Sequence, residues 1–466
     1  MLQKIAARAL AVSQHYMPAP YLLSLLLTFV SAALAYAITH TAVEKILSSW
    51  YGGIWEILAF TTQMALILLC GHALVDAPLV RRALDRISAI PRTAAHAGML
   101  VFLVGWSTAL FNWGFSLVVS GVLVREIPRR MPGVSKGYLA AAGYTGWAVW
   151  ASGISSSIAL VTATPGSPMN IIERMAGETI PLSGTLLPLY NVVPVLGMAI
   201  LMPLLFARIH PAEAASETVP GVTVPRASAS GPMEHHTPVG APDAPPSAPV
   251  GNASSHQGQK TVAERIEQSR LVTIVLVGMA GLFVFQRIAA GTFNLDLNMM
   301  IFLLLALGWA LHGTPIRYMQ AFHGGAKAAG PILLAYPLYG GILGLIRDTG
   351  LADWFALQFV AFSTSHTLPF WSYVSSNVIT LFVPSGGGHW AVQGPVMVKA
   401  AMELNADLAK TAMAVAFGEQ TGNLFQPFWA LPIVSIGGVS VREMMGYCMM
   451  AFFIAFPLFG IALLVF

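Results

Sequence analysis

Residues 369–398 read PFWSYVSSNVITLFVPSGGGHWAVQGPVMV, an apolar stretch that is interrupted by Pro384-Ser385-Gly386-Gly387-Gly388. In a membrane, non-helical backbone is tolerated only where protein or a water-filled cavity satisfies its N–H and C=O groups. The stretch therefore predicts a re-entrant helical hairpin, and residues 384–388 at its tip are expected to border a buried site.

A second stretch, residues 97–124, has the same pattern, with Asn112-Trp113-Gly114 as a helix-weakening turn near its middle. Each arm beside this turn is shorter than the roughly 20 residues that cross a bilayer. Basic loops flank the stretch, at 81–92 and 125–136. Because Lys and Arg in short loops stay on the cytoplasmic side, the stretch must enter and leave on one side, as a re-entrant hairpin.

The composition of the whole chain agrees with a membrane protein. Only 9% of the 466 residues are charged and 56% are hydrophobic, against roughly 25% charged in soluble domains. The small net charge of +4, spread over short clusters, argues against nucleic-acid binding. Cys70 and Cys448 lie in apolar segments and are interpreted as small buried hydrophobes. We predict neither a cofactor nor a metal site.

Nine further apolar stretches predict membrane spans, and Lys and Arg occur only near their ends. They lie near residues 21–39, 53–75, 137–163, 186–206, 271–289, 298–312, 327–346, 411–433 and 443–466. The fold class is therefore an all-α polytopic membrane protein.

Residues 208–265 are expected to separate two membrane units, 1–207 and 266–466. Between residues 211 and 260 lie nine of the 30 prolines and no Phe, Trp, Tyr, Leu or Ile, which predicts a disordered linker. His235, His236 and His256 in the linker lack spaced partners and are interpreted as solvated.

The two membrane units carry weak sequence matches at offsets of 271 to 274 residues, such as 117–124 with 391–398 and Asp76 with Asp348. The agreement of the offsets suggests a duplicated unit. The span 271–289 adds one membrane crossing before the second unit, so the second unit is expected to have the opposite orientation in the membrane. Lys4 and Arg8 place the N-terminus and the linker in the cytoplasm and the C-terminus in the periplasm. Inverted repeats with hairpins and discontinuous helices are typical of secondary transporters.

Each hairpin is followed by an unusually polar span, Ser152–Ser157 with Thr162 and Thr164 in the first unit and Gly418–Asn423 with Gln426 in the second. Gly and Pro permit local unwinding there, and hydroxyl and amide groups can bind an ion or a carboxylate. Packing of helices through small residues is the alternative.

Backbone N–H groups of a Ser-Gly-Gly-Gly run can converge on an anion, and a helix N-terminus adds about half a positive charge. A buried membrane carboxylate is by default a proton carrier or cation ligand, although a neutral acid that holds helices together is the alternative. The predicted substrate-binding residues are Asn112, Trp113, Gly114, Ser155, Ser156, Ser157, Thr164, Ser385, Gly386, Gly387, Gly388, His389, Trp390, Gln393 and Gln426. The predicted residues for a coupling ion or proton are Glu419, Asn423 and Thr380.

The scarcity of basic residues limits the substrate, because a multiply charged anion would stay uncompensated in the membrane. We predict a small monocarboxylate and a co-transported cation. The apolar tail of the substrate is expected near the aromatic residues Trp113, Phe115, Trp390, Phe428 and Trp429. A dicarboxylate carrier would favour a basic residue at a tip, and none is there. An enzyme acting on lipid-linked substrates would need a dense Asp, Glu and His cluster, which is not visible, so we predict a transporter and no enzyme.

Four motifs resemble the bacterial short-chain fatty acid transporter family: Phe111–Phe115, Ala163–Gly166, Pro384–Trp390 with Gln393–Pro395, and Gln426–Pro432. The resemblance implies uptake of short monocarboxylates such as acetoacetate or butyrate across the inner membrane. It also implies membership of a larger ion-transporter group whose members are often homodimers with opposed hairpins. One departure is Thr380, where the family pattern has Asn. The coupling ion stays open, since Glu419 favours H⁺ and the Ser, Thr and Asn-rich breaks suit Na⁺.

Overall fold

The computed structural model describes residues 2–16, 20–154, 156–167, 169–211, 261–293, 297–384 and 386–466. Ser155, Ser385 and residues 212–260 of the predicted linker, with its three histidines, lie outside these ranges. Throughout the described ranges, the regular secondary structure is helical.

The first half of the chain forms helices α1 to α12 and a 3-10 turn, Trp150–Ser152. They are α1 (Leu2–Tyr16), α2 (Pro20–Ile38), α3 (Val43–Glu56), α4 (Leu58–Asp76), α5 (Pro78–Ser88), α6 (Ala94–Phe111), α7 (Trp113–Arg130), α8 (Lys136–Trp147), α9 (Ser157–Thr162), α10 (Ile171–Ala176), α11 (Leu182–Leu186) and α12 (Leu189–Ile209).

The second half forms helices α13 to α23. They are α13 (Val262–Glu267), α14 (Arg270–Ala289), α15 (Leu297–His312), α16 (Pro315–Gly324), α17 (Ala326–Asp348), α18 (Leu351–Val360), α19 (Leu368–Thr380), α20 (Gly386–Leu404), α21 (Leu408–Gly422), α22 (Ala430–Gly437) and α23 (Arg442–Val465).

Seven helical stretches in the described part of the chain are long and apolar enough to cross a bilayer. The bent pair of α15 and α16, with 120° between its arms, could form an eighth. The prediction of an all-α polytopic membrane protein is confirmed. The seven stretches are Tyr21–Ile38, Val43–Leu74, Ala94–Phe111, Leu189–Ile209, Arg270–Ala289, Ala329–Asp348 and Arg442–Val465.

Both predicted hairpin stretches form pairs of packed helices, α6 with α7 and α19 with α20. The arms of the first pair are longer than predicted, with 18 residues each, because both helices continue beyond the apolar stretch. Length alone therefore does not decide whether this hairpin is re-entrant, and re-entry stays a prediction. Both following spans are broken as predicted, at 148–156 between α8 and α9 and at 423–429 between α21 and α22.

The order of these helices occurs twice along the chain. Helices α5, α6, α7, α8 and α9 begin 273, 274, 273, 272 and 273 residues before α18, α19, α20, α21 and α22. The match in order and spacing supports a duplicated unit. The opposite membrane orientation of the two units stays a prediction.

Equivalent glycines let each hairpin lie close to the broken helix that follows it. A Cβ atom at Gly146 of α8 would collide with the carbonyl oxygen of Phe102 in α6, and one at Gly418 of α21 would collide with Ser376 in α19. Small residues permit such close approach of helices in membranes. Each hairpin is therefore anchored to its own broken helix along its first arm.

Several helix boundaries differ from the sequence prediction. α1 was missed because its mixed polar and apolar sequence is not a membrane span; it packs on α12 and α23. The predicted span 53–75 starts inside α3, which extends back to Val43 as an amphipathic helix that exposes Glu44 and Lys45 and buries Ile46 and Gly53. At the linker edges, α12 continues to Ile209 and α13 begins at Val262, so these residues are helical. Cys70 and Cys448 are buried as predicted.

Candidate functional site

The tip of the first hairpin contacts the break in the broken helix of the second unit. The rings of Trp113, which begins α7, and Trp429, which precedes α22, have centroids 5.0 Å apart and meet edge to face. The indole N–H of Trp147 donates to the carbonyl oxygen of Trp113 at 3.1 Å. The first tip is thus fixed between two broken helices.

The tip of the second hairpin contacts the break of the first unit in the same reciprocal way. A Cβ atom at Gly386 would lie 2.7 Å from Cη2 of Trp150 and 3.0 Å from Oγ of Ser157, so only glycine fits this contact. At Gly387, in contrast, the corresponding position has no atom of a described residue within 4 Å, apart from its own helix and chain neighbours. The second tip therefore has one side packed and one side open.

Trp147 joins the two contacts into one region. Its ring centroid is 6.0 Å from that of Trp150 and 5.7 Å from that of Trp429. We refer to Trp113, Trp147, Trp150, Ser157, Gly386, Gly387 and Trp429 as the central region. It contains both hairpin tips and both helix breaks, and none of these residues is charged.

The unwound segment between α21 and α22 is held by side chains. The hydroxyl of Tyr144 donates to the carbonyl oxygens of Asn423 and Gln426, at 2.9 and 3.2 Å. The side chain of Gln426 accepts from the Phe428 N–H at 2.7 Å and donates to Oδ1 of Asn423. These bonds satisfy the freed backbone, as non-helical chain at membrane depth requires.

Two polar groups at the start of this break are buried without a hydrogen-bond partner among the described residues. They are both carboxyl oxygens of Glu419 and Nδ2 of Asn423, one helical turn later. A bare buried carboxylate costs several kcal/mol. Two arrangements avoid this cost, a neutral acid and a carboxylate with a bound cation. Glu419 therefore has the chemistry of a proton or cation carrier.

Gln420, beside Glu419, ties the two units together. Its Oε1 accepts from the Ala151 N–H and from the Ser152 hydroxyl, both at 3.2 Å, and its Nε2 donates to Ser152 at 2.9 Å. Asn191 of α12 donates to the carbonyl oxygen of Ser152 at 3.0 Å. These three polar residues were not among the predicted site residues. For Asn191, the sequence offers one indication of such a role, because it is a single Asn within the apolar helix α12.

Four predicted site residues lie inside the second hairpin instead of facing open space. His389 is fully buried, with Nε2 3.1 Å from the Ser376 hydroxyl and 2.6 Å from Oε1 of Gln393, and Nδ1 3.3 Å from the Thr380 hydroxyl. Trp390 donates to the carbonyl oxygen of Met169 at 3.1 Å. His389, Gln393 and Thr380 thus use their polar atoms to hold the hairpin together, and Trp390 ties it to the first unit.

We expect His389→Leu to destabilise the protein by about 2–4 kcal/mol, because it leaves buried partners such as Gln393 unpaired at about 1–3 kcal/mol each. Thermal unfolding of the purified protein measures the loss. The matched control is His366→Leu, since His366 is exposed. Equal stability of the two variants would show that the network contributes nothing.

The remaining predicted residues divide between helix capping and exposed positions. Asn112 lies between α6 and α7 and caps the start of α7, with Oδ1 accepting from the Phe115 N–H at 3.0 Å. Ser156 caps α9 by accepting from the Ala159 N–H. A Cβ atom at Gly114 would lie 3.3 Å from Ile67. Thr164 is exposed and donates to Leu160, so the structure does not bring it to the central region.

A family model described as short chain fatty acid transporter matches residues 1–466. The chain belongs to this family. The transporter is 33% identical over 467 residues to a protein of Escherichia coli K12 that is provisionally named a short-chain fatty acid transporter, with 100% of both chains covered. A protein of Haemophilus influenzae with the same provisional name is 32% identical over 468 residues, with 99% of both covered.

Two solved structures are similar to the transporter across nearly its whole length. The YdaH transporter of Alcanivorax borkumensis has a TM-score of 0.42 at 11% identity, with 96% of this chain and 97% of that chain covered. MtrF of Neisseria gonorrhoeae has a TM-score of 0.40 at 15% identity, with 97% of each chain covered.

Proposed function

We propose that the transporter takes up short-chain monocarboxylates, such as acetoacetate and butyrate, across the bacterial inner membrane with a co-transported cation. The observation that carries this proposal is Glu419, a fully buried carboxyl without a partner among the described residues, one turn before the helix break that the first tip contacts. Such a group can take up and release H⁺ or a metal cation as the site opens.

The open side of Gly387 is the best place for the substrate carboxylate. Gly387 is the second residue of the 19-residue helix α20, and the N-terminus of a long helix attracts anions through its free N–H groups and its dipole. The absent side chain permits close approach to this backbone.

Charge balance favours a monoanion together with a cation. The central region contains no Lys or Arg, so helix dipoles alone must compensate the substrate. They supply about half a charge each. A second carboxylate would be desolvated without a counter-charge, at a cost of several kcal/mol. When the coupled cation neutralises Glu419, one substrate carboxylate remains, and the helix dipoles offset much of its charge.

The reciprocal contacts suggest how alternating access could work. Each tip rests on the break of the other unit, at Trp429 for the first tip and at Ser157 for the second. Separating one tip from its break while the other stays closed would open the central region to one side only. Broken helices that meet hairpins at the site are typical of transporters that use this cycle.

The proposed orientation places the N-terminus and the linker in the cytoplasm. Gln3 of α1 donates to the carbonyl oxygen of His210 after α12, which puts the two on one face. Arg130 pairs with Asp85, so the basic α5 and the end of α7 share a face. Basic residues mark the cytoplasmic side. We also propose a homodimer, as the family resemblance implies.

Reconstituted proteoliposomes test the proposed function. With an imposed pH gradient or Na⁺ gradient, we expect one of the two to drive accumulation of labelled acetoacetate and butyrate, which names the coupling ion. Excess succinate should compete poorly, because its second carboxylate has no counter-charge. Strong inhibition by succinate would indicate a dicarboxylate carrier, and absence of uptake under both gradients would refute the assignment.

A further inference from the structure

A basic groove, separate from the central region, lies where the end of α7, the start of α8 and the end of α22 meet. It is an open cavity of about 320 Å³. Its wall includes Arg125, Pro128 and Arg129 of α7, Lys136 of α8, and Ile436 and Gly438 at the end of α22. The groove therefore borders one element of the first hairpin and one broken helix from each unit.

The charges around the groove do not cancel. Arg125 and Arg129 share one carboxylate, Glu126, with N–O distances of 2.9 and 2.8 Å. Lys136 has no carboxylate within ion-pair distance among the described residues. A further acid near the start of α8, Glu443, accepts from the N–H and the hydroxyl of Ser440. Three cations thus face one shared carboxylate.

The geometry points to a binding site for a phosphate group in this groove, presented by an anionic phospholipid or by soluble phosphate. Guanidinium groups bind phosphate oxygens through paired N–H donors, and a lysine adds a mobile cation. The N-terminus of α8, at Lys136, adds about half a positive charge, whereas the C-termini of α7 and α22 at the same groove each bring about half a negative charge. The three basic side chains therefore supply the attraction for the anion. Basic pockets between membrane helices are sites that bind anionic headgroups.

A bound phosphate would connect the two units. Arg125 and Arg129 belong to the first hairpin, and Gly438 caps the broken helix of the second unit. Lys136 lies between them, with Nζ 3.7 Å from the position of a Cβ atom at Gly438. The anion therefore holds α7, α8 and α22 together at one face, and its binding stabilises this packing.

Binding of phosphatidylglycerol to the purified full-length protein tests the site. Native mass spectrometry of the detergent-solubilised protein gives the apparent affinity for the lipid. We expect Lys136→Gln and Arg129→Gln each to lower it about fivefold, the effect of one basic residue at a membrane surface, and Lys136→Arg to retain it. The matched control is Arg82→Gln, an exposed residue of α5 outside the groove.

A second arm distinguishes the sources of the phosphate group. In phosphatidylcholine nanodiscs, a rise in unfolding temperature with inorganic phosphate that Lys136→Gln abolishes would assign the site to soluble phosphate. The same rise with phosphatidylglycerol alone would assign it to the lipid. Two results would overturn the proposal. One is an equal loss of phosphatidylglycerol affinity in Lys136→Gln and Arg82→Gln, and the other is an unfolding temperature that neither anion changes. Neither arm requires transport, so the result is independent of the proposed function.

Discussion

Glu419→Gln should abolish gradient-driven uptake while the protein still folds and binds substrate. Gln has the same shape as Glu but can neither release a proton nor offset a cation. Without a group that carries the coupled cation, the ion gradient no longer drives the substrate inward. A hundredfold ion gradient coupled one to one would drive accumulation on the order of 100-fold, about 2.7 kcal/mol, and the variant should lose all of it. Uptake of labelled butyrate in proteoliposomes under the driving gradient measures this loss.

The control for Glu419→Gln is Glu403→Gln. The carboxylate of Glu403 lies near the end of α20, is mostly exposed and is 3.9 Å from Nζ of Lys399. We expect the control variant to transport normally. Thermal unfolding separates lost coupling from lost folding: Glu419→Gln should unfold no earlier than wild type, because it removes a buried group without partners among the described residues. Wild-type accumulation by Glu419→Gln would show that this carboxyl is structural.

Gly386→Ala and Gly387→Ala should differ strongly although the residues are adjacent. A Cβ atom at Gly386 would lie 2.7 Å from Trp150, so the second tip must withdraw from its break. Overpacking of this kind costs about 1–3 kcal/mol, and we expect the maximal uptake rate to fall about tenfold or more. The unfolding temperature should fall with it.

The methyl group of Gly387→Ala meets no atom within 4 Å among the described residues outside its own helix and chain neighbours, so the unfolding temperature should not change. The methyl group instead occupies the space proposed for the substrate carboxylate. We expect the KM for butyrate to rise about tenfold, the equivalent of roughly 1.4 kcal/mol, with a smaller change in maximal rate. Saturation curves of initial uptake give both values. A KM that does not change would place the substrate elsewhere.

The positions of the hairpins and breaks could be predicted from the sequence, because clustered Gly, Pro and Asn weaken a helix wherever they interrupt a long apolar stretch. Asn112 and Gly386 were found in this way. The burial of Glu419 followed equally directly from a lone acid in an apolar span. These predictions depend only on residues that are close together in the sequence, so a single sequence is sufficient for them.

The direction of each side chain could not be predicted, since it depends on which helix packs against which. His389 was expected to face the site because it adjoins the tip, yet it bonds to Thr380 and Gln393 inside the hairpin. The contact of Gln420 with Ser152 joins residues 268 positions apart. Tyr144 and Trp147 gave no signal, because aromatic residues are common in membrane spans.

Neither hairpin tip completes a site with its own unit, because Trp113 needs the break at Trp429 and Gly386 needs the break at Ser157. The proposed duplication then implies an ancestor with a single unit that worked only as a pair of identical subunits. Fusion of two such genes fixes the ratio of the subunits at one to one. It also frees the two copies to diverge, and the equivalent positions of α21 and α8 now carry different residues, Glu419 and Trp147.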